Sequence, residues 1–376
     1  MSDRRVEGYV GLISGTSMDG IDAVAVDLAD DRIQVLATLT APFNPDLAQM
    51  LDQVRSDPDR YPVAKMARLD ALFGDALAAA AREVISRTGL ETTAFRAIGS
   101  HGQTLLHRPD GEAGHTLQIG DPWRIAARTG LTTVADFRRA DLAVGGQGAP
   151  LAPLLHQTLF QVEHEDRLVA NLGGIANLTV LPATGGLSGF DTGPANCFLD
   201  LWYRRHHPTR YDRDGAWGAS GQVDPALLDS LLDDPFFDQP APKSTGIEHF
   251  NPAWLDLRLA QHPKLDPVDV QATLTELSAR TLADAIQRLP ACQPARLILC
   301  GGGVHNHHLV QRLAVHLDNL AIESSAVHGL DPDQVEAVLF AWLARQRLTA
   351  KPVNTGPVTG ARSRPLLGAL FEPPSS

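Results

Sequence analysis

This chain has few cysteines, no long apolar run and no basic tract, and each shortage removes a class of function. Its 376 residues include only three cysteines, Cys197, Cys292 and Cys300, with no CxxC pair among them. An odd, scattered set does not make a disulfide framework, so these read as structural thiols in a reducing compartment. No stretch reaches the roughly 18 apolar residues of a membrane span. The opening residues, MSDRRVEGYVGLI, carry charge ahead of only a brief apolar run, which fits neither a secretion signal nor an anchor. The expected location is the cytoplasm. With 32 Lys and Arg against 44 Asp and Glu, the formal charge is -12 and the pI about 5.6. A nucleic-acid partner is therefore not expected, since a phosphate backbone calls for a concentrated basic surface, while a small anionic ligand remains compatible.

Familiar catalytic signatures are missing as well. There is no GxxxxGK[ST] P-loop, and neither glycine cluster, 145–148 or 301–303, completes a GxGxxG dinucleotide fingerprint. Protein-kinase signatures and the GxSxG elbow are absent. No HExxH or similarly spaced ligand set supports a zinc enzyme, and His305, His307 and His308 read as a solvated helix start.

What is present is a pair of hairpins with polar, glycine-containing tips. GLISGTSMDGIDAVAVDL (residues 11–28) sets two apolar strands around a turn of Gly, Ser, Thr and Asp. Gly15 and Gly20 allow close backbone approach, Thr16 and Ser17 can donate hydrogen bonds, and Asp19 or Asp22 can hold a divalent metal. The same residue types also suit an ordinary polar turn. RLVANLGGIANLTVLP (residues 167–182) repeats the layout about 160 residues later, with too few identities for a sequence repeat. Later, ARLILCGGGVHNHHLVQRLAVHL (residues 295–317) reads as a buried strand, a triple glycine and an amphipathic helix, a turn of the kind that packs against a nucleotide. Helices are predicted over 63–88, stopped by Gly89, and over 274–289 and 336–348. Strands are predicted over 95–98 and 131–135. The run from 136 to 153 reads as an irregular interdomain crossing and the tail beyond Pro352 as irregular. A chain of this length exceeds the usual single core, and the alternation indicates α/β architecture in two domains with room for a ligand cleft.

In order and spacing these features resemble the acetate and sugar kinase, Hsp70 and actin superfamily, in which two ribonuclease-H-like domains flank a central cleft and close over ATP. The resemblance makes Gly11 to Asp22 the first phosphate motif, with Gly15, Thr16, Ser17, Met18, Asp19, Gly20, Ile21 and Asp22 as its cofactor-binding residues. Asn171, Gly173 and Gly174 belong to the second, and Gly301, Gly302 and Gly303 to the adenosine motif. It implies domains over 1–137 and 138–344, with 345–376 returning to the first.

A closer resemblance rests on GTSMDGID (15–22), GSHGQT (99–104), LQIGDP (117–122), VADFR (134–138), GGQGAPLAP (145–153), NLGGIAN (171–177), GFDTGPAN (189–196) and KSTG (243–246). This ordered set resembles the anhydro-N-acetylmuramic acid kinase family. The resemblance implies ATP and Mg2+, phosphorylation of O6 of the anhydrosugar with hydrolytic opening of its 1,6-anhydro ring, and a homodimer. Asp191 of DTGPAN is then the base that activates water, held by the turn formers Thr192, Gly193 and Pro194. Glu336, in the first turns of a helix, matches a family Glu that contacts the sugar; by itself it is an ordinary dipole partner. Ser100, His101, Thr104 and Asn196 are candidate sugar ligands, although His101 alone reads equally as a bonded structural histidine. Either Arg138 or Arg139 can pair the lactyl carboxylate in a bidentate fork, with Asp136 ordering that arginine. Asp212 and Asp214 read as turn residues. An ordinary sugar kinase of this fold, using Asp191 on a substrate hydroxyl, and a non-catalytic sugar or nucleotide sensor are the alternatives. The first would accept a hexose without an anhydro bond, and the second would bind sugar without ATP turnover.

Overall fold

The GYVGLI segment is apolar on both alternating faces, and in the computed structural model it is buried along its whole length, as a central strand covered on both sides must be. The structure describes residues 6–15, 20–56, 58–111, 113–246, 248–289 and 294–375. Thr16, Ser17, Met18, Asp19 and Cys292 lie outside them. The chain divides into two compact units, Met1–Leu155 with Gln334–Ser376, and His156–Asp333.

In the first unit, β1 (Gly8–Ile13), β2 (Gly20–Asp27) and β3 (Gln34–Pro42) form an antiparallel meander. β4 (Phe95–Ser100) runs parallel to β1, and β7 (Thr133–Ala135) parallel to β4. Between them β5 (Gln103–Arg108) and β6 (His115–Ile119) pair as a separate ribbon. The second unit repeats the order. β8 (Arg167–Leu172), β9 (Ile175–Leu181) and β10 (Ser188–Pro194) are antiparallel, and β11 (Arg296–Cys300) lies parallel to β8 and to β12 (Ala321–Ser324). Counted within each sheet, both run third, second, first, fourth, fifth, the ribonuclease-H-like order, and the first sheet carries a sixth strand at its far edge.

The helix Val63–Thr88 stands where its periodicity predicts, closed by Gly89. Four expectations shift. The helix expected at 274–289 begins at Pro267, because Asp266 caps it through the Val268 amide and proline occupies its first turn. The strand expected from 131 begins at Thr133. Within the run expected to be irregular, Arg139–Ala143 and Ala152–Phe160 are helical. The tail also contains regular structure: Gly356–Thr359 is a helical turn, and β13 (Ala369–Phe371) adds an antiparallel edge to β7. Local pattern could not announce that strand, since three residues gain their hydrogen bonds only from a partner far away in sequence.

One packing contact positions the candidate site directly. The helix Val335–Leu348 lies on β1 and β4 so closely that a Cβ on Gly11 would strike the Ala337 carbonyl, and one on Gly99 the Phe340 carbonyl. Both glycines are thus required by close approach. The contact fixes the first turn of that helix, with Glu336 on it, against the central strands. Among the described residues no helix is long and apolar enough to cross a membrane.

Candidate active site

In the first unit the expected residues gather at the carboxyl ends of β1 and β4. Gly15 and Gly20 flank the undescribed tip, and Ile21 is core. Asp22 sits across from Ile13 and accepts a hydrogen bond from Thr40 at 2.7 Å. Gly20 has a packing role as well, since a side chain there would meet the Ala41 carbonyl. Ser100 ends β4, and His101 follows, its amide bonded to the Leu12 carbonyl at 2.9 Å. The hydroxyls of Ser14 and Ser100 are buried and have no partner among the described residues. Such groups call for a ligand or water.

His101 is 7% exposed, with Nδ1 3.1 Å from the Gly102 carbonyl and Nε2 3.1 Å and 2.9 Å from Nε and Nη2 of Arg138. Arginine only donates, so Nε2 accepts and Nδ1 carries the proton. Burial first, and then the Arg138 charge, hold the imidazole well below its ordinary pKa, in keeping with that neutral tautomer. Arg138 also donates Nη1 to the Gly148 carbonyl at 2.8 Å. Burial pulls its pKa down to about 10, against the opposing pull of Glu336 and Asp141. Arg139 is turned elsewhere: it is exposed and pairs Asp136 through two 2.8 Å contacts. Thr104 lies 3.5 Å from His101 Nε2 and accepts from Gln118 at 3.1 Å. The Glu336 side chain reaches solvent but is closely ringed by protein atoms. This crowding raises its pKa; Arg138 opposes the rise and the Asp22 carboxylate adds to it.

In the second unit Asp191 lies on a strand, β10, where a turn was expected. The register slips between Asp191 and Gly193, so Thr192 is an extra residue in the ladder. A bulge of this kind re-aims a side chain without breaking the sheet. The Asp191 amide donates to the Lys243 carbonyl at 3.0 Å. One carboxylate oxygen, Oδ2, accepts from Ser244 Oγ at 3.0 Å and from the Thr245 amide at 2.9 Å. Burial pushes its pKa up to about 6, the two donors lower it, and Glu248 raises it. Lys243 does not neutralise it, because its ammonium is bonded to the carbonyls of Phe236 and Phe237.

Three segments of the same unit meet at the β8–β9 turn. The carbonyls of Gly173 and Gly174 accept the amides of Asn196, Ala195 and Cys197, and Asn196 Nδ2 donates to the carbonyls of Leu172 and Gly173 at 2.8 Å and 2.9 Å. Asn196, expected on the sugar, thus has its amide nitrogen on the hairpin turn. Gly301, with φ of 80°, abuts Asn171 and Leu172, and Gly303 packs on Leu172, so neither leaves room for a side chain. A Cβ on Gly302 would meet nothing within 4 Å, so an open backbone shelf, the start of the short turn Gly302–His305, lies between two glycines with no room for a side chain. Asp212 accepts the amides of Trp217 and Gly218, both at 2.9 Å, as a turn residue does. His305 pairs Asp333 at 2.8 Å on the surface. Burial holds the Cys197 thiol up at about 12, and Cys300 is buried. Among the described residues no group of three or more His, Cys, Asp or Glu is arranged to hold a metal.

Sequence reasoning assigned no role to Ser244 and Thr245, although the KSTG run was visible. It also missed Asp141, whose buried carboxylate takes the Gly148 amide at 2.7 Å and the Thr359 hydroxyl at 3.0 Å and so shapes the loop beneath Arg138.

Comparison with known proteins adds a family. A sequence model described as anhydro-N-acetylmuramic acid kinase matches residues 7–373. The chain is similar to proteins of that name from Xylella fastidiosa, 50% identical over 365 residues covering 96% of this chain and 95% of the relative, and from Xanthomonas axonopodis pv. citri, 50% identical over 368 residues covering 96% and 97%. A third, from Coxiella burnetii, is 46% identical over 367 residues, 97% of each chain.

Proposed function

The chain belongs to the anhydro-N-acetylmuramic acid kinase family, and from that membership we propose how its own residues divide the reaction. The enzyme is an ATP-dependent sugar kinase. It transfers the γ-phosphoryl group of ATP to O6 of 1,6-anhydro-N-acetylmuramic acid as water opens the anhydro bridge. The water oxygen bonds to C1 and the C1–O6 bond breaks. O6 takes the phosphoryl group as its bond to the ADP oxygen breaks, and the proton lost by water passes to Asp191. The products are N-acetylmuramic acid 6-phosphate and ADP.

The observation that carries this reading is the state of Asp191. Its Oδ2 is fixed by two donors, so the carboxylate has a defined direction, and a pKa near 6 leaves it ionised yet basic at neutral pH. That combination is what a general base needs. Glu336 and Arg138 are assigned to the sugar, Glu336 to a hydroxyl and Arg138 to the lactyl carboxylate, because Arg139 is already paired. Ser100 supplies a buried hydroxyl that lacks a partner among the described residues, and Thr104 and Asn196 complete the assignment. The amides around Gly15, Gly20 and Ile21, with Thr16, Ser17 and Met18, and those of Asn171, Gly173 and Gly174, are assigned to the phosphates. The shelf of Gly301, Gly302 and Gly303 is assigned to adenosine.

We assign a magnesium ion to Asp22, with Asp19 from the same sequence motif, since Mg2+ is ordinarily held by phosphates and one or two carboxylates and the described residues offer no three-ligand cluster. Bound there, it supplies charge neutralisation on the transferring phosphoryl group. A homodimer in the cytoplasm completes the reading. The test is Asp191→Asn: we expect loss of phosphorylated product with unchanged ATP affinity, and near-normal turnover would remove Asp191 as the base.

A further inference from the structure

Arg138 is held more completely than a simple carboxylate partner needs to be. Of the five guanidinium donors, three are bonded within the first unit: Nε and one on Nη2 to His101, and one on Nη1 to Gly148. Among the described residues this leaves one donor on each Nη atom, the two nitrogens from which a bidentate fork to a carboxylate is made. The His101 contact takes the Nε–Nη2 edge and so leaves the fork to the two Nη atoms. It occupies the inner edge of the guanidinium, and a ring with a protonated Nε2 would instead repel it.

His101 is itself fixed from three sides. Nδ1 donates to Gly102, the backbone amide is tied to Leu12, and the ring lies 4.6 Å from Phe340, on the helix that carries Glu336. Behind the other arm of Arg138, the Gly148 amide is bonded to Asp141, whose second oxygen takes Thr359. We propose that His101 is a positioning residue for Arg138: a neutral imidazole whose Nε2 accepts two guanidinium donors and sets the angle of the fork, without touching substrate. This rests on the reading that Arg138 grips the lactyl carboxylate, and it revises the expectation that His101 is a sugar ligand.

The experiment compares His101→Phe, which keeps the ring against Phe340 but lacks an acceptor, with His101→Gln, which restores one at the reach of Nε2. Each is made alone and with Arg138→Ala. The phenylalanine variant should raise KM for the anhydrosugar about tenfold or more, the scale of a charge-assisted hydrogen bond, with KM for ATP unchanged. Glutamine should recover most of that loss. In the Arg138→Ala background His101→Phe should add nothing further. An unchanged sugar KM in His101→Phe, equal loss in the phenylalanine and glutamine variants, or full additivity with Arg138→Ala overturns the proposal. If Arg138→Ala leaves sugar KM unchanged, the reading of Arg138 falls instead. Nitrogen-15 NMR of the wild-type enzyme decides the case where the variants do not fold. His101 should be the Nδ1–H tautomer, and the Nε2–H tautomer or an imidazolium contradicts the assignment.

Discussion

Replacing Asp191 with asparagine should make the protein more stable while it stops the reaction. The folded carboxylate has a pKa of about 6 against an ordinary 3.8, and the main cause is burial. A difference of roughly two units corresponds to about 3 kcal/mol at most, at about 1.4 kcal/mol per unit, and partial access to solvent reduces it to about 1–2 kcal/mol. The sign follows from proton binding. Between the two pKa values the folded state holds the proton more tightly than the unfolded chain, so stability falls as pH rises through that window. The cost is fully present above about pH 6 and nearly gone by pH 4. Both donors reach the same oxygen, Oδ2, so an asparagine carbonyl placed there keeps both hydrogen bonds and removes only the charge. Urea unfolding of wild type and Asp191→Asn at pH 8 and pH 4 measures the effect. The variant should be more stable by about 1–2 kcal/mol at pH 8, which for a unit of this size is roughly 2–8 °C in Tm, and should differ little at pH 4. A destabilised variant at pH 8, or the same gain at both pH values, refutes the argument that the fold holds this carboxylate at a cost.

Two further results follow. Because Asp191 must be ionised to accept a proton, kcat/KM should fall about tenfold per unit below pH 6, and a profile flat to pH 5 contradicts the assignment. At the glycine turn assigned to adenosine, Gly301→Ala should lose about 2 kcal/mol or more, because its φ of 80° and its contact with Asn171 both exclude a side chain. Gly302→Ala should fold normally and raise only KM for ATP. Equal stability of the two variants in thermal unfolding would show that the shelf is not built as described.

The paired strands of each opening hairpin, with β4, β7 and β11, were legible in the sequence because their signals are local, whereas β3, β10 and β12 were not predicted. The apolar strands around a glycine turn, the period of Val63–Thr88 and the strand that runs into Gly301 are properties of neighbouring residues. Asp191 and Glu336 were singled out by motif, but what surrounds them depends on distant chain. Ser244 and Thr245 reach Asp191 across more than fifty residues, and Thr359 meets Asp141 across 218. No periodicity encodes such pairs. Arg138 and Arg139 looked equivalent as neighbours; only the fold gives one to His101 and the other to Asp136. The bulge at Thr192 read as a turn because Thr-Gly-Pro favours both.

The central claim is that water attacks C1 as O6 receives the phosphoryl group. Turnover of the anhydrosugar with ATP in oxygen-18 water, with the product fragmented in a mass spectrometer, tests it most directly. One heavy oxygen at C1 and an unlabelled phosphate on the original O6 is the predicted result. A phosphorylated product with its anhydro bridge intact, or with no label at C1, contradicts it.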